Sequence, residues 1–150
     1  MKEAKVFVET RTSSVAETAA VAREFAAWLR PGDVVALRGE LGAGKTAFVQ
    51  GVGRALGIER PMTSPTFVIG VEYPTARFTF VHMDLYRLHG ADDLEPLGWR
   101  ENLESGAVIC VEWPERAEEA IPSTAWNVEL RHCGDDPDER EIVITRKVED

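Results

Sequence analysis

The chain reads as an α/β protein, a three-layer sandwich around a mixed sheet that is parallel near its middle and antiparallel at its hairpins. Three observations predict it. An apolar run, 33–38, leads into Gly39-Glu40-Leu41-Gly42-Ala43-Gly44-Lys45-Thr46, and a helical pattern opens at Ala47. Strand, glycine-rich turn and helix in that order are the context in which G-x-x-x-x-G-K-[ST], the P-loop pattern, carries meaning. Two further apolar runs, 80–84 and 108–112, each end in a carboxylate, as buried strands do when they deliver an acid to the ligand end of a parallel sheet. Finally, paired strand-like runs, 66–73 with 77–83 and 125–132 with 141–147, are separated by short turn segments and read as hairpins.

The remaining elements follow in order. Val6-Phe7-Val8 suits a first strand. Ser14-Val15-Ala16-Glu17 is a capping box, and the helix it starts runs to Leu29, with Ala19, Ala22, Phe25, Ala26 and Leu29 on one face. Pro31-Gly32 ends it. The helix after the P-loop runs to about Leu56, with Gly57 as its C-cap. Gly51 and Gly53 weaken that helix and predict close packing on a neighbour. Residues 91–105 suggest one or two short helices broken near Pro96-Leu97-Gly98, 107–111 a buried strand, and 115–120 a short helix stopped at Pro122. No linker, repeat or low-complexity tract divides the chain, so 1–150 is expected to be a single domain.

Composition narrows the function. At 44% hydrophobic and 29% charged residues, 150 residues suffice for one substantial core. A net charge of −9 and a pI near 4.9 argue against broad electrostatic binding of nucleic acid. A phosphate site survives such a charge because its positive character is local. Cys110 and Cys133 lack the spacing of a zinc site or disulfide framework. No segment resembles a signal peptide or a membrane span, so the expected compartment is the cytoplasm. Of four lysines, only Lys45 lies outside the terminal segments.

The chemistry is that of nucleotide phosphates. Glycines let successive N–H groups point inward at phosphate oxygens, and the helix N-terminus adds unpaired donors and a positive dipole end. Lys45 reaches the β- and γ-phosphates, and the Thr46 hydroxyl is placed to ligate Mg²⁺. Hydrolysis also needs a carboxylate near the metal and a group that handles water. Asp84 and Glu112, at two strand ends, are the candidates, and spacing does not say which is nearer the ion. Thr66, in Ser64-Pro65-Thr66-Phe67, is a candidate γ-phosphate sensor. Arg87 and Arg116 could approach phosphate, and Trp113, beside Glu112, packs near the site or in the core. His82 reads as a strand residue rather than a base. No NKxD-type guanine-reading motif appears, and Asp84-Leu85-Tyr86-Arg87 lacks the glycine of a DxxG switch, so ATP is preferred over GTP.

Four motifs therefore stand in order: GELGAGKT (39–46), SPTF (64–67), HMDLYR (82–87) and VEWPER (111–116). Together they resemble the TsaE family, also called YjeE, small bacterial ATPases of tRNA threonylcarbamoyladenosine biosynthesis. The resemblance is strong over 33–122 and weak at the termini. It implies a P-loop fold, ATP and Mg²⁺ as ligands, and slow hydrolysis stimulated by TsaB-like and TsaD-like partners. The TsaD-like partner modifies adenosine 37 of tRNA, and tRNA is met only indirectly. It further implies that residues 40–46 bind phosphate (Glu40, Leu41, Gly42, Ala43, Gly44, Lys45, Thr46), that Thr46 and Glu112 ligate Mg²⁺, and that Asp84 and Thr66 serve hydrolysis. Ser14, Thr18 and Arg140 are its loosely aligned adenine contacts, with Trp113 beside them. The local departure is Met83, where many relatives carry another apolar or aromatic residue. Two rivals stand beside this reading: a small-molecule phosphotransferase, and an assembly subunit gated by nucleotide with incidental hydrolysis.

Overall fold

The computed structural model describes residues 2–40, 42–62 and 70–149. Seven strands form one sheet: β1 (Lys2–Thr12), β2 (Val34–Arg38), β3 (Gly70–Pro74), β4 (Thr79–Asp84), β5 (Val108–Glu112), β6 (Trp126–His132) and β7 (Arg140–Glu149), in the order β1-β7-β6-β2-β5-β4-β3. The central four, β6-β2-β5-β4, are mutually parallel. The flanking strands are antiparallel additions: β3 on β4, β7 on β6 and β1 on β7. This is the mixed α/β sheet expected from the strand-end acids and the hairpins.

The parallel strands are buried on both faces, so their side chains alternate between two cores. One core takes Val35, Leu37, Phe80, Val108 and Cys110 under α1 (Val15–Ala26) and α2 (Lys45–Ala55). The other takes Val34, Val81, Met83, Ile109 and Val111 under α3 (Trp99–Glu104) and its neighbours. The expected contact at Gly51 is present: a Cβ there would lie 2.8 Å from Ala22 Cβ and 3.0 Å from the Ala19 carbonyl. The two helices meet through that gap.

Several expectations are corrected. β1 is 11 residues rather than three, because it pairs with β7 along its length, with one irregularity at Val6/Val8. The short helices expected at 91–105 and 115–120 are present, as a 3₁₀ helix at 91–97 followed after Gly98 by α3, and as a 3₁₀ helix at 114–120 interrupted at Ala117 (φ −147°, ψ 43°). Pro74 belongs to β3, and the turn lies at 75–78, closed by Thr75 N–H donating to the Phe78 carbonyl at 3.1 Å. The expected strand segment 66–69 lies outside the described residues. No helix among the described residues is long and apolar enough to cross a membrane.

The N-terminal ends of the parallel strands are tied by Asp33. Its carboxylate accepts from Trp126 Nε1 (3.2 Å), from the Arg30 N–H (2.9 Å) and from Arg146 Nη2 (3.0 Å). The opposite ends of the strands carry the candidate site.

Candidate functional site

β2 ends at Arg38 and the chain turns at once into the glycine-rich loop. Gly39 has no room for a side chain, since a Cβ would sit 2.5 Å from the Leu130 carbonyl oxygen. Gly42 (φ 80°) and Gly44 (φ 98°) adopt left-handed backbone that a Cβ would strain. Gly44 is the N-cap of α2 and offers no capping side chain. The first N–H groups of that helix therefore have no side-chain cap, which is the arrangement that receives anions.

Arg140, at the start of β7, holds this loop from outside. Its Nε donates to the Ala43 carbonyl and its Nη2 to the Gly42 carbonyl, both at 3.1 Å. In a trans peptide the C=O and the following N–H point in opposite directions. Binding the Ala43 carbonyl thus turns the Gly44 N–H away from Arg140. The arginine expected beside adenine is engaged with the loop backbone, and its Nη1 is held by the Glu139 carbonyl (2.9 Å) and that of Pro137.

Lys45 is 6% exposed. Among the described residues its ammonium makes no ion pair, and it lies 4.2 Å from the centroid of the Trp113 ring. A buried ammonium without a carboxylate costs free energy, which an aromatic face offsets in part and an arriving anion would offset further. Trp113 sits at φ 57°, the one positive-φ non-glycine among the described residues, just before Pro114. Tyr86 packs edge-on against it at 5.1 Å, and the Arg116 guanidinium lies 5.2 Å from the Tyr86 ring. A cleft of about 500 Å³ opens beside the loop between Glu40, Trp113 and His132.

Asp84 and Glu112 are register partners at the ends of β4 and β5. Glu112 is 5% exposed, and its Oε2 is 2.6 Å from Nε2 of His82, itself 1% exposed. Among the described residues Nδ1 of His82 has no hydrogen-bond partner. Asp84 accepts from the Tyr86 N–H at 3.0 Å. Burial lifts the Asp84 carboxyl above the usual range, opposed by that N–H; nearby Glu112 adds to the rise, and His82 and Lys45 oppose it. Among the described residues no cluster of three or more His, Cys, Asp or Glu side chains could hold a metal ion unaided.

The fold thus brings Lys45, Trp113, Asp84 and Glu112 together. Thr46 occupies the first turn of α2, half-buried. Ser14 and Thr18 use their hydroxyls locally: Ser14 caps α1 by accepting from the Glu17 N–H (3.1 Å), and Thr18 bonds the Thr12 hydroxyl (2.8 Å) in a buried pair. Leu41 and Thr66 lie outside the described residues. Arg87 is exposed. The partner of Glu112 was not foreseen. Its sequence signal is the two-residue spacing His82-x-Asp84 on one strand and Cys110-x-Glu112 on the next, which puts all four on one face.

Comparison with known proteins adds independent findings. A family model described as "Threonylcarbamoyl adenosine biosynthesis protein TsaE" matches residues 12–142. Two relatives, each described as tRNA threonylcarbamoyladenosine biosynthesis protein TsaE, are from Bacillus subtilis and Streptomyces coelicolor. The first is 43% identical over 135 residues, covering 90% of this chain and 83% of that protein. The second is 42% identical over 128 residues, covering 82% and 86%. The crystal structure of YdiB from B. subtilis superposes with a TM-score of 0.78 at 37% identity, covering 97% of this chain and 87% of that one. With the loop, the strand-end acids and the sheet in place, and with the family model spanning nearly the whole sequence, this chain belongs to the TsaE family.

Proposed function

We propose that the protein is a Mg²⁺-dependent ATPase of tRNA threonylcarbamoyladenosine biosynthesis, working in the cytoplasm beside TsaB-like and TsaD-like partners and not itself transferring the threonylcarbamoyl group. The observation that carries the reading is a buried ammonium, Lys45, without an ion pair among the described residues, beside two in-register strand-end carboxylates at a helix start without a side-chain cap. Phosphate is the ligand whose charge and oxygen geometry match that set.

The loop N–H groups and Lys45 hold the phosphates. Thr46 and Glu112 are the metal-ligand candidates. They supply hard oxygen donors, and so few protein ligands suit an ion that keeps several waters and takes phosphate oxygens as well. Mg²⁺ held by these residues would neutralise phosphate charge. His82 occupies Oε2 of Glu112, which leaves Oε1 for the ligand side. Asp84 orients or deprotonates the attacking water; a carboxyl lifted by burial is the better base. Trp113 presents its ring face to the Lys45 ammonium at 4.2 Å. Thr66 is the proposed γ-phosphate sensor.

The test is ATP-analogue binding and phosphate release by variants. Lys45→Ala should lose about 100-fold in affinity or turnover, roughly 2.7 kcal/mol. Near-normal hydrolysis by that variant would sink the site assignment. Glu112→Gln should still bind nucleotide in metal-free buffer but hydrolyse it slowly with Mg²⁺ present. If a Glu112→Gln variant without turnover still supported repeated rounds of tRNA modification, the nucleotide-gated assembly reading would replace this one.

A further inference from the structure

The phosphate loop lies at the C-terminal ends of the parallel strands. At the other end, where β2, β4 and β6 begin, lies a second and larger concavity of about 990 Å³. Nothing described so far uses it. It is assembled from the end of α1, the turn before β4, the start of β6 and the strands β1 and β7.

Its floor is aromatic. Trp28 and Trp126 stack with centroids 6.0 Å apart, and Phe7 meets Trp126 edge-on at 4.9 Å. Trp126 is buried and bonded to Asp33, but Trp28 is 39% exposed and its ring makes no hydrogen bond among the described residues. An exposed indole on an aromatic stack is the kind of surface that receives an apolar anchor.

Its rim is basic. Arg30, Arg77, Arg146 and Lys147 line it, and among the described residues no carboxylate does. That is unusual on a chain of net charge −9. Arg77 donates to the Ala26 and Leu29 carbonyls (3.0 and 2.5 Å), covering the negative end of α1 with positive charge. Arg146 is offset by Asp33. Arg30 and Lys147 are exposed and make no ion pair among the described residues.

We infer that this groove docks a short acidic segment of a partner protein, one apolar side chain of which packs on Trp28 while its carboxylates meet Arg30 and Lys147. Charge complementarity selects the occupant. A single-stranded nucleic acid would also stack on Trp28. However, its affinity would depend on the number of phosphates neutralised, and two uncommitted cations on an acidic protein are too few. A segment with two or three carboxylates matches the rim locally and carries less charge against the net −9 of the chain than a nucleic acid strand does. The groove and the phosphate loop are separated by the length of β2, roughly 15 Å, so a segment held here stays in place while the other end binds and releases its ligand.

The experiment is a titration of the ¹⁵N-labelled full chain with a short synthetic peptide of Glu and Asp bearing one central Phe. The four tryptophan indole N–H signals serve as local reporters. The Trp28 and Trp126 signals should move saturably while those of Trp99 and Trp113 stay in place, and the apparent affinity should fall as salt is raised. Exchanging Arg30 and Lys147 together for Glu should weaken binding about tenfold and leave the melting temperature unchanged, since both side chains are exposed. Trp28→Ala should weaken it as well. Three results overturn the inference. One is no movement at millimolar peptide, or equal movement with the Gln/Asn version of the peptide. Another is tighter binding of oligouridylate, which would make the groove a nucleic-acid site. The third is self-association in sedimentation that moves the same signals without peptide, which would make the occupant a second copy.

Discussion

One oxygen of Glu112 is committed before any ligand arrives, because Nε2 of His82 lies 2.6 Å from it. With Glu112 as acceptor, His82 donates through Nε2, and its buried Nδ1 has no partner among the described residues. A buried polar atom left unpaired costs free energy, on the order of 1–3 kcal/mol. Asp84 carries a second cost. Its folded-state carboxyl is raised above its ordinary value of 3.8, chiefly by burial. Between the ordinary and the raised value the folded protein binds more protons than the unfolded chain, so this group's contribution to stability falls as pH rises through that window. Asp84→Asn should therefore melt higher than the parent at neutral pH in metal-free buffer, with the gap closing once the pH drops below the ordinary value. Equal melting temperatures at both pH extremes would remove Asp84 from the account. The site residues were legible in the sequence where a pattern reports position: Lys45 from the loop, Asp84 and Glu112 from apolar runs ending in acid. His82 was read as a strand residue, which it is, but not as a partner of Glu112. The register of β4 on β5 makes that pair, and a single strand's sequence does not state its register.

Helices and strands differ in how far local pattern determines them. The capping box of α1 appears in part: Ser14 accepts from the Glu17 N–H, while the Glu17 carboxylate accepts from the N–H of Ser13, one residue before the cap. Gly51 signalled its contact equally well, because a glycine inside an amphipathic helix is tolerated where a neighbour's backbone comes near. Gly51→Val would drive branched methyl groups into Ala22 and the Ala19 carbonyl. Overpacking of that kind costs about 1–3 kcal/mol. Denaturant unfolding should show a lower midpoint with an unchanged slope, and an unaltered midpoint would mean that the helices part freely. The short helices at 91–97 and 114–120 were legible as helices, but their 3₁₀ type was not. Their short runs have helical composition but hold Pro96 or begin at Pro114, and they are too brief for α-helical hydrogen bonding to dominate. β1 was underestimated for another reason. Charged residues punctuate it, and its extent is set by a partner strand well over a hundred residues later.

The whole sheet divides labour between its ends. The C-terminal ends of the parallel strands carry the loop and its acids, and the N-terminal ends carry Asp33 and the basic groove. Asp33 is the tie at the second end, bonded to residues 93 and 113 positions away. Asp33→Ala would leave Arg146 unpaired and the Trp126 N–H without its acceptor, a loss of about 3 kcal/mol. Calorimetry would register it as a clear fall in melting temperature, and a fall of only a degree or two would show that solvent replaces the carboxylate. Fold class and the central parallel strands could be read in advance because each strand reports its own burial. The groove could not, since Phe7, Trp28 and Trp126 become neighbours only when the sheet closes. The grip of Arg140 on the loop has a bearing on synthesis. The carbonyls of Gly42 and Ala43 are held by a side chain 98 and 97 residues downstream. A nascent chain that has displayed its glycine loop at the ribosome therefore lacks the clamp that shapes it until Arg140 follows, so the loop takes its final form only after the β6–β7 hairpin has been made.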